Sequence, residues 1–508
     1  MVGLPDDNAV NDVKKVPLEP EFPCPPTAAT AAAPSASPKR RRLPDLTSMD
    51  LRASVLFLAV PAVMRNLLQT VIQMVSLMIV GSLGSSAVAS VGVANRIFFV
   101  IIGVLSALSV GATALVARHI GAGDREGAER VVGQAVLFSI LVGVTMAILG
   151  ATLATPAMRW MMQMQEEMDM EVVRQGADYI RVVCLSMSVG VLLFMGNAVL
   201  QGAGDMKTPL YVMSGVNLVN LLIAWLLVQG IGPFPALGVL GAGYAAAIAR
   251  ALGGVVSFAI LAHPRAAIGF KLRSLFRPDY AVLGGILHIG IPAAMEQLIH
   301  QGSQIIYTVF IAGMGTASIA ANSIAMSIQS LSFMPGMGFG LAATALVGQC
   351  LGAGKPKRAE EAGYESLRMG MVAAGLAAAL FLFLPVPLAR MYSAERDVVA
   401  LTASCLRISA VAQPSLAIIQ VLAGGLRGAG DTRWVMYVAA AGNWGVRLVG
   451  SWILGVHLGW GLVGVWVAMA LDQLLRGGLT WYRYRSGHWK TVKAGIGRRS
   501  RVGVQHGG

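Results

Sequence analysis

Charge is scarce in this chain: only 13% of its 508 residues are Asp, Glu, Lys or Arg, and just 25 residues are acidic. So little polar surface cannot clothe a soluble globule of this length. Cysteine is also sparse. Cys24, Cys184, Cys350 and Cys405 are scattered, with no CxxC pair and no metal-ligand spacing, so free thiols and no bound metal or other cofactor are expected. There is no GxSxG, no HExxH and no acidic cluster suited to magnesium, so the chain is not expected to be an enzyme. No segment is long, polar and basic enough to make a nucleic-acid-binding domain. The first residues lack a short apolar core followed by a small-residue cleavage site, so they are not read as a secretory signal.

What the chain has instead is apolar length. Hydrophobic residues make up 56% of it and its mean hydropathy is +0.67. After Leu51, continuous apolar runs recur at the length needed to span roughly 30 Å of hydrocarbon. Unsatisfied backbone groups in lipid leave only helices or closed barrels, and runs without alternation are helices. About twelve are expected, centred near Leu58, Ile101, Leu141, Leu192, Leu222, Ala249, Ile305, Leu331, Leu376, Ile418, Val449 and Val467.

The net charge of +14 is distributed as topology. The run "PKRRR" before the first helix sets the N-terminus on the cytoplasmic side, and the basic residues then recur in every second loop, ending in "RRSR". Both termini are therefore expected in the cytoplasm of a multi-pass inner-membrane protein. Residues 1–48 are expected to be a disordered extension.

The chain also repeats itself. A shift of 231 positions sets "GATALVARHIGAGD" from Gly111 on "AATALVGQCLGAGK" from Ala342 with eight identities, and "VPAVMRNLLQ" from Val60 on "IPAAMEQLIH" from Ile291. A shift of 226 sets "LQGAGD" from Leu200 on "LRGAGD" from Leu426. The expected architecture is an all-α integral membrane protein of two pseudo-symmetric six-helix lobes, 49–262 and 281–486, joined by a linker at 263–280 and followed by a basic tail at 487–508. Six helices per copy make the repeat parallel, with a cavity between the lobes and rocking as the natural motion. The GAGD segments are read as turns, with glycine stopping one helix and the aspartate capping the next.

The ordered set "MVSLMIVGSLG", "TALVARHIGAGD", "NAVLQGAGDMKTPL", "IPAAMEQLI", "AATALVGQCLGAGKPKRAE" and "GGLRGAGDT" resembles the multidrug and toxic compound extrusion (MATE) family, over Leu51 to about Trp489. The resemblance implies a twelve-helix exporter of small organic, cationic and amphipathic compounds, acting as a monomer in the lipid bilayer and driven by inward-moving protons or sodium ions. It singles out Glu296 as a membrane-embedded coupling carboxylate; the spacing then sets His300 one turn on, on the same helical face, as a candidate to relay protons or to tune that carboxylate. A carboxylate at bilayer depth is expensive enough to imply a task.

In the duplicated frame Arg65 stands where Glu296 stands, and Gln69 where His300 stands. An inter-lobe Arg65–Glu296 pair is the corresponding expectation. Asn66, Asn197, Asn217, Asn220 and Gln297 join Arg65 and Gln69 as candidate cavity residues, and Asp472 with Arg476 as a structural ion pair. The chain departs from the resembled pattern at Ser76, Ala224 and Ala417, where relatives carry aspartates. That loss of oxygen ligands favours protons over sodium. A lipid-linked sugar flippase is the alternative, disfavoured because only Arg65 and Arg447 are expected to face a pyrophosphate.

Overall fold

The computed structural model describes residues 44–81, 103, 105, 106, 108–162, 170–230, 235–263, 266, 268–270 and 277–492. Among them there is no strand. The helices are α1 (Leu51–Gly81), α2 (ending over 108–121), α3 (Arg125–Met162), α4 (Met170–Gly202), α5 (Lys207–Gln229), α6 (Gly238–Ala262), α7 (Tyr280–Ala312), α8 (Thr316–Gly352), α9 (Pro356–Phe383), the short α10 (Pro385–Arg390), α11 (Arg396–Gly428), α12 (Thr432–Ala440) and α13 (Gly461–Ser486). Ten of them are long and apolar enough to cross a membrane. Past Ala440, α12 continues as two π-helical stretches, Ala441–Leu448 and Ser451–His457, a widening that the apolar run around Val449 does not announce. Of the four cysteines, Cys184, Cys350 and Cys405 are buried free thiols, and Cys24 lies outside the described residues.

Packing follows the repeat. α4 lies against α3 and α6, and α5 against α6; α11 lies against α8, α9 and α13. α1 touches α5 in its own half and α8 in the other, and α7 packs on α12. Pro61 in α1 and Pro292 in α7 sit 231 positions apart inside continuous helices. Lipid-embedded helices tolerate this because neighbouring groups satisfy the freed carbonyls.

Four turns of one design gather at one end of the bundle. After α2, α4, α8 and α11 the chain turns on Gly123, Gly204, Gly354 and Gly430, all at positive φ. In each, the residue after that glycine donates its N–H to a carbonyl five residues back (Asp124 to His119, Asp205 to Leu200, Lys355 to Cys350, Asp431 to Leu426, at 2.8–2.9 Å). This is the Schellman arrangement that closes a helix C-terminus. The first two aspartates then cap the following helix: Asp124 Oδ1 accepts from Gly127 N at 2.8 Å and Asp205 Oδ1 from Thr208 N at 3.0 Å. Burial pushes the Asp124 carboxyl up, but the Gly127 amide, His119 and Arg130 bring it below the usual carboxylate range, so the cap is charged. Asp431, expected to act likewise, does not cap α12. Its Oδ2 instead accepts from Arg483 Nε of α13 at 2.8 Å, a stronger charge-assisted partner.

α7 opens the second half on a firm cap. Asp279 Oδ1 accepts from Ala281 N and Val282 N at 3.0 and 3.3 Å, while Gln134 of α3 bonds both Arg277 O and Asp279 N. Asp279→Ala is expected to cost about 1 kcal/mol, measured as a lowered thermal midpoint of the detergent-solubilised protein with transport rate unchanged.

Candidate functional site

Polar side chains on otherwise apolar helices turn away from lipid, because an unpaired polar group in hydrocarbon costs several kcal/mol. Here they converge on a cavity of about 730 Å³, walled by α1, α2, α4, α5 and α6 and closed across by α8 and α11. Arg65, Asn66 and Gln69 of α1, Asn197 of α4, and Asn217 and Asn220 of α5 all stand on its wall. Asn217 Nδ2 donates to Gln69 Oε1 at 3.0 Å, tying α5 to α1. Phe194, Val110, Val216, Met213 and Leu341 supply apolar wall. Ser76 and Ala224, two positions where the resemblance leads one to expect carboxylates, present a hydroxyl and a methyl to the same space.

Gln297 is not among the lining residues; it packs over Gly103 of α2, where an added Cβ would lie 2.8 Å from Gln297 Cγ. Glu296 stands just outside the lining. Its Oε1 accepts from Arg427 Nη2 of α11 at 2.5 Å, and Arg427 itself faces the cavity. The expected Arg65–Glu296 pair is therefore not formed. Arg65 donates to Asn66 Oδ1 at 3.4 Å, whereas Glu296 finds a guanidinium within its own half. His300, one turn beyond Glu296, lies beside Arg447, Arg476 and Asn443.

Those neighbours form a separate, buried cluster. Asp472, with no exposed surface, accepts from Arg476 Nε and Nη2 at 2.8 and 2.9 Å, the expected pair. Arg447 is also buried away from the cavity, its guanidinium 4.4 Å over the Tyr307 ring and donating to Met469 Sδ at 3.4 Å. The cavity's other guanidiniums come from Arg250 of α6 and Arg427. Arg427 stands inside the motif "GGLRGAGD", 226 positions after Gln201, which also lines the cavity. A charge appearing where the first copy has an amide was the available signal. Arg250 in an apolar helix was another.

The cavity ends at the four turns. There the last turns of α2 and α8 touch backbone to backbone: a Cβ on Gly121 would overlap the Gln349 carbonyl, and one on Gly352 the Arg118 carbonyl. Both members of this contact are related by the 231-residue shift. Gln349 Nε2 donates to Gly202 O at 3.0 Å, and Arg118 Nη2 to Ala429 O at 2.6 Å and to Val492 O at 3.0 Å, so each half reaches a turn of the other. Arg52 with Glu365 at 3.1 Å, and Arg358 with Met49 O, add ties at the same end. A cavity sealed at one end by contacts between halves suits a device that binds at one face and releases at the other.

A family model described as MatE matches residues 61–226 and 292–453, one stretch in each half. "Probable multidrug resistance protein NorM" of Thermotoga maritima is 29% identical over 466 residues, covering 91% of this chain and 97% of that protein. Among solved structures, a MATE in complex with MaD3S superposes with a TM-score of 0.81 at 22% identity, over 88% of this chain and 98% of the other. The outward-facing conformation of a multidrug resistance MATE transporter of the MOP superfamily gives 0.80 at 23%, with the same coverage. At these identities the structures speak for the fold.

Proposed function

Since this chain belongs to the MatE family, we propose that it is a secondary exporter of small organic compounds, working by alternating access of the cavity between its two halves. The observation that carries the reading is a charged pair astride the cavity wall: Arg427 faces the cargo space while Glu296 holds it from behind at 2.5 Å. A proton arriving on Glu296 takes away the counter-charge of Arg427 and so changes the charge of the wall. Proton and cargo then alter each other's affinity through one residue, and such linkage is reciprocal. Protons are favoured over sodium because Ser76, Ala224 and Ala417 stand where relatives carry aspartates, which leaves none of those three carboxylates for a sodium ion.

In this reading the lobes are residues 49–262 and 281–486, both termini are cytoplasmic, the four turns lie at the cytoplasmic face, and the sealed contacts there make the described state outward-facing. A lipid-linked flippase is the second reading, favoured by the three guanidiniums on the wall. Its cargo keeps a tail in the bilayer, so delivery of a water-soluble compound into bulk solution separates the two.

The test is uptake of fluorescent organic compounds into everted vesicles, driven in turn by a proton and a sodium gradient. Wild type is expected to respond to the proton gradient. Glu296→Gln, which keeps a hydrogen bond to Arg427 but never titrates, is expected to lose gradient-driven uptake by about 100-fold, the effect of a coupling energy near 3 kcal/mol. Sodium-driven uptake, or a fully coupled Glu296→Gln protein, would place the coupling elsewhere.

A further inference from the structure

Beyond α13 the chain has work that neither the cavity nor the charged pair explains. Gly487, at positive φ, ends that helix, and the chain continues as one 3-10 turn, His488–Thr491, followed by Val492. This short strap is built into the second half. Trp489 has no exposed surface: its ring stacks on Tyr484 of α13 at 4.7 Å, and its Nε1 donates to Tyr484 O at 2.7 Å. Lys490 Nζ donates to Glu360 Oε2 of α9 at 2.5 Å. A strap pinned by a buried tryptophan and an ion pair moves with the half that holds it.

Its last described residue reaches the other half. Val492 O accepts from Arg118 Nη2 of α2 at 3.0 Å, and the same nitrogen donates to Ala429 O, at the end of α11, at 2.6 Å. The 231-residue shift sets Arg118 on Gln349, whose Nε2 donates to Gly202 O at the end of α4. The seam is thus made twice, once from each half. On the Arg118 side the donor is a cation, and the strap supplies it with a second carbonyl.

We propose that Gly487–Val492 is a latch that holds the turn-bearing end shut. The bond from Arg118 to Val492 O joins the two halves, so it exists while that end is sealed and is lost to water when the halves part there. A hydrogen bond from a charged donor shifts the ratio of the two states by about tenfold. This inference rests on the alternating-access reading above and adds to it the segment that biases its resting state. No strap residue lines the cavity. The latch therefore sets how long the cavity waits open to one side without touching cargo or the Glu296–Arg427 pair.

The distance between the halves decides the matter. Glu126 of α3 and Lys357 of α9 are exposed, 231 positions apart, each the second residue of the helix after a sealed-end turn. Spin labels on Glu126→Cys and Lys357→Cys, in a Cys24→Ser background whose other thiols are buried, report the gap by double electron–electron resonance. Ending the chain after Gly487 is expected to raise the ratio of long to short distances by about tenfold. Arg118→Gln, which copies the residue of the other half, is expected to do the same, and the combination no more than either, since both remove one contact. Trp489→Ala, which frees the strap at full length, gives the same shift and serves where the shortened protein fails to reach the membrane. Distances equal to the parent's in Arg118→Gln and Trp489→Ala, or effects that multiply in the combination, overturn the latch. Gly352→Val, which crowds the Arg118 carbonyl directly, separates that failure from a deeper one. If it lengthens the distance while the strap variants do not, the latch alone falls; if no variant does, alternating access falls with it.

Discussion

Gly352→Val is expected to hold the two halves apart at the sealed end and to reduce transport to background. The reason is distance. The backbone of α8 at Gly352 lies so close to the Arg118 carbonyl of α2 that any Cβ overlaps it, and the partner at the other end of the contact is backbone, which cannot rotate away. Overpacking of this kind costs roughly 1–3 kcal/mol. For a protein poised between two states, that is a shift of about 5- to 160-fold in their ratio, against the sealed state. Gly121→Val acts on the equivalent contact with Gln349 and is expected to do the same.

The measurement is accessibility. A cysteine placed at Gln420 on the cavity wall, in a Cys24→Ser background, should be reached by an impermeant thiol reagent from the turn-bearing face in either valine variant but not in the parent. Monodisperse elution in detergent excludes misfolding as the cause. Transport retained at the parental rate in both valine variants, with the cysteine still protected, would mean that the contact between α2 and α8 does not have to close.

The second large effect is expected at Asp472. Its carboxylate has no exposed surface and is held by two bonds from Arg476. Asp472→Asn leaves a guanidinium in the interior without a counter-charge, and breaking a buried pair from one side costs about 3–5 kcal/mol. Removing both partners is a different change. Asp472→Leu combined with Arg476→Met replaces the pair by apolar groups of similar volume and is expected to recover most of that loss, the remainder coming from buried Arg447, which also loses the Asp472 charge. Thermal midpoints of the three solubilised proteins report the difference: a large fall for Asp472→Asn and recovery in the double variant. If the double variant is as unstable as the single one, the pair has a role that apolar packing cannot replace.

The helices were legible because lipid leaves the backbone so few options, and the two-fold plan because the 231-residue shift survives in short motifs. The cavity wall was legible for a related reason: polar residues such as Asn197, Asn217 and Gln69 have nowhere to point except inward. Partners were not. Equivalence in a duplicated chain relates positions by rotation and does not bring them into contact, so the counterpart of Glu296, Arg65, was not its neighbour. The guanidinium that reaches it belongs to α11, 131 positions away. Asp431 failed as a cap for the same sort of reason, its alternative partner Arg483 being 52 positions distant. The π-helical course of α12 also lay beyond reading. Hydropathy measures how greasy a segment is, and a widened turn leaves that quantity unchanged.

The sealed contact is isologous in the sense used for symmetric dimers: each half offers the same patch, Arg118 with Gly121 or Gln349 with Gly352, to its copy. A single half-length ancestor, paired with itself, would already have owned this closure. What self-pairing could not give is Glu296 opposite Arg65 in register, or Arg427 in the register of Gln201. Symmetry therefore accounts for the sealed end, and the charged pair inside one half stands apart from it. The departures from symmetry, a few charged side chains such as Glu296 and Arg427, are where the proposed coupling resides.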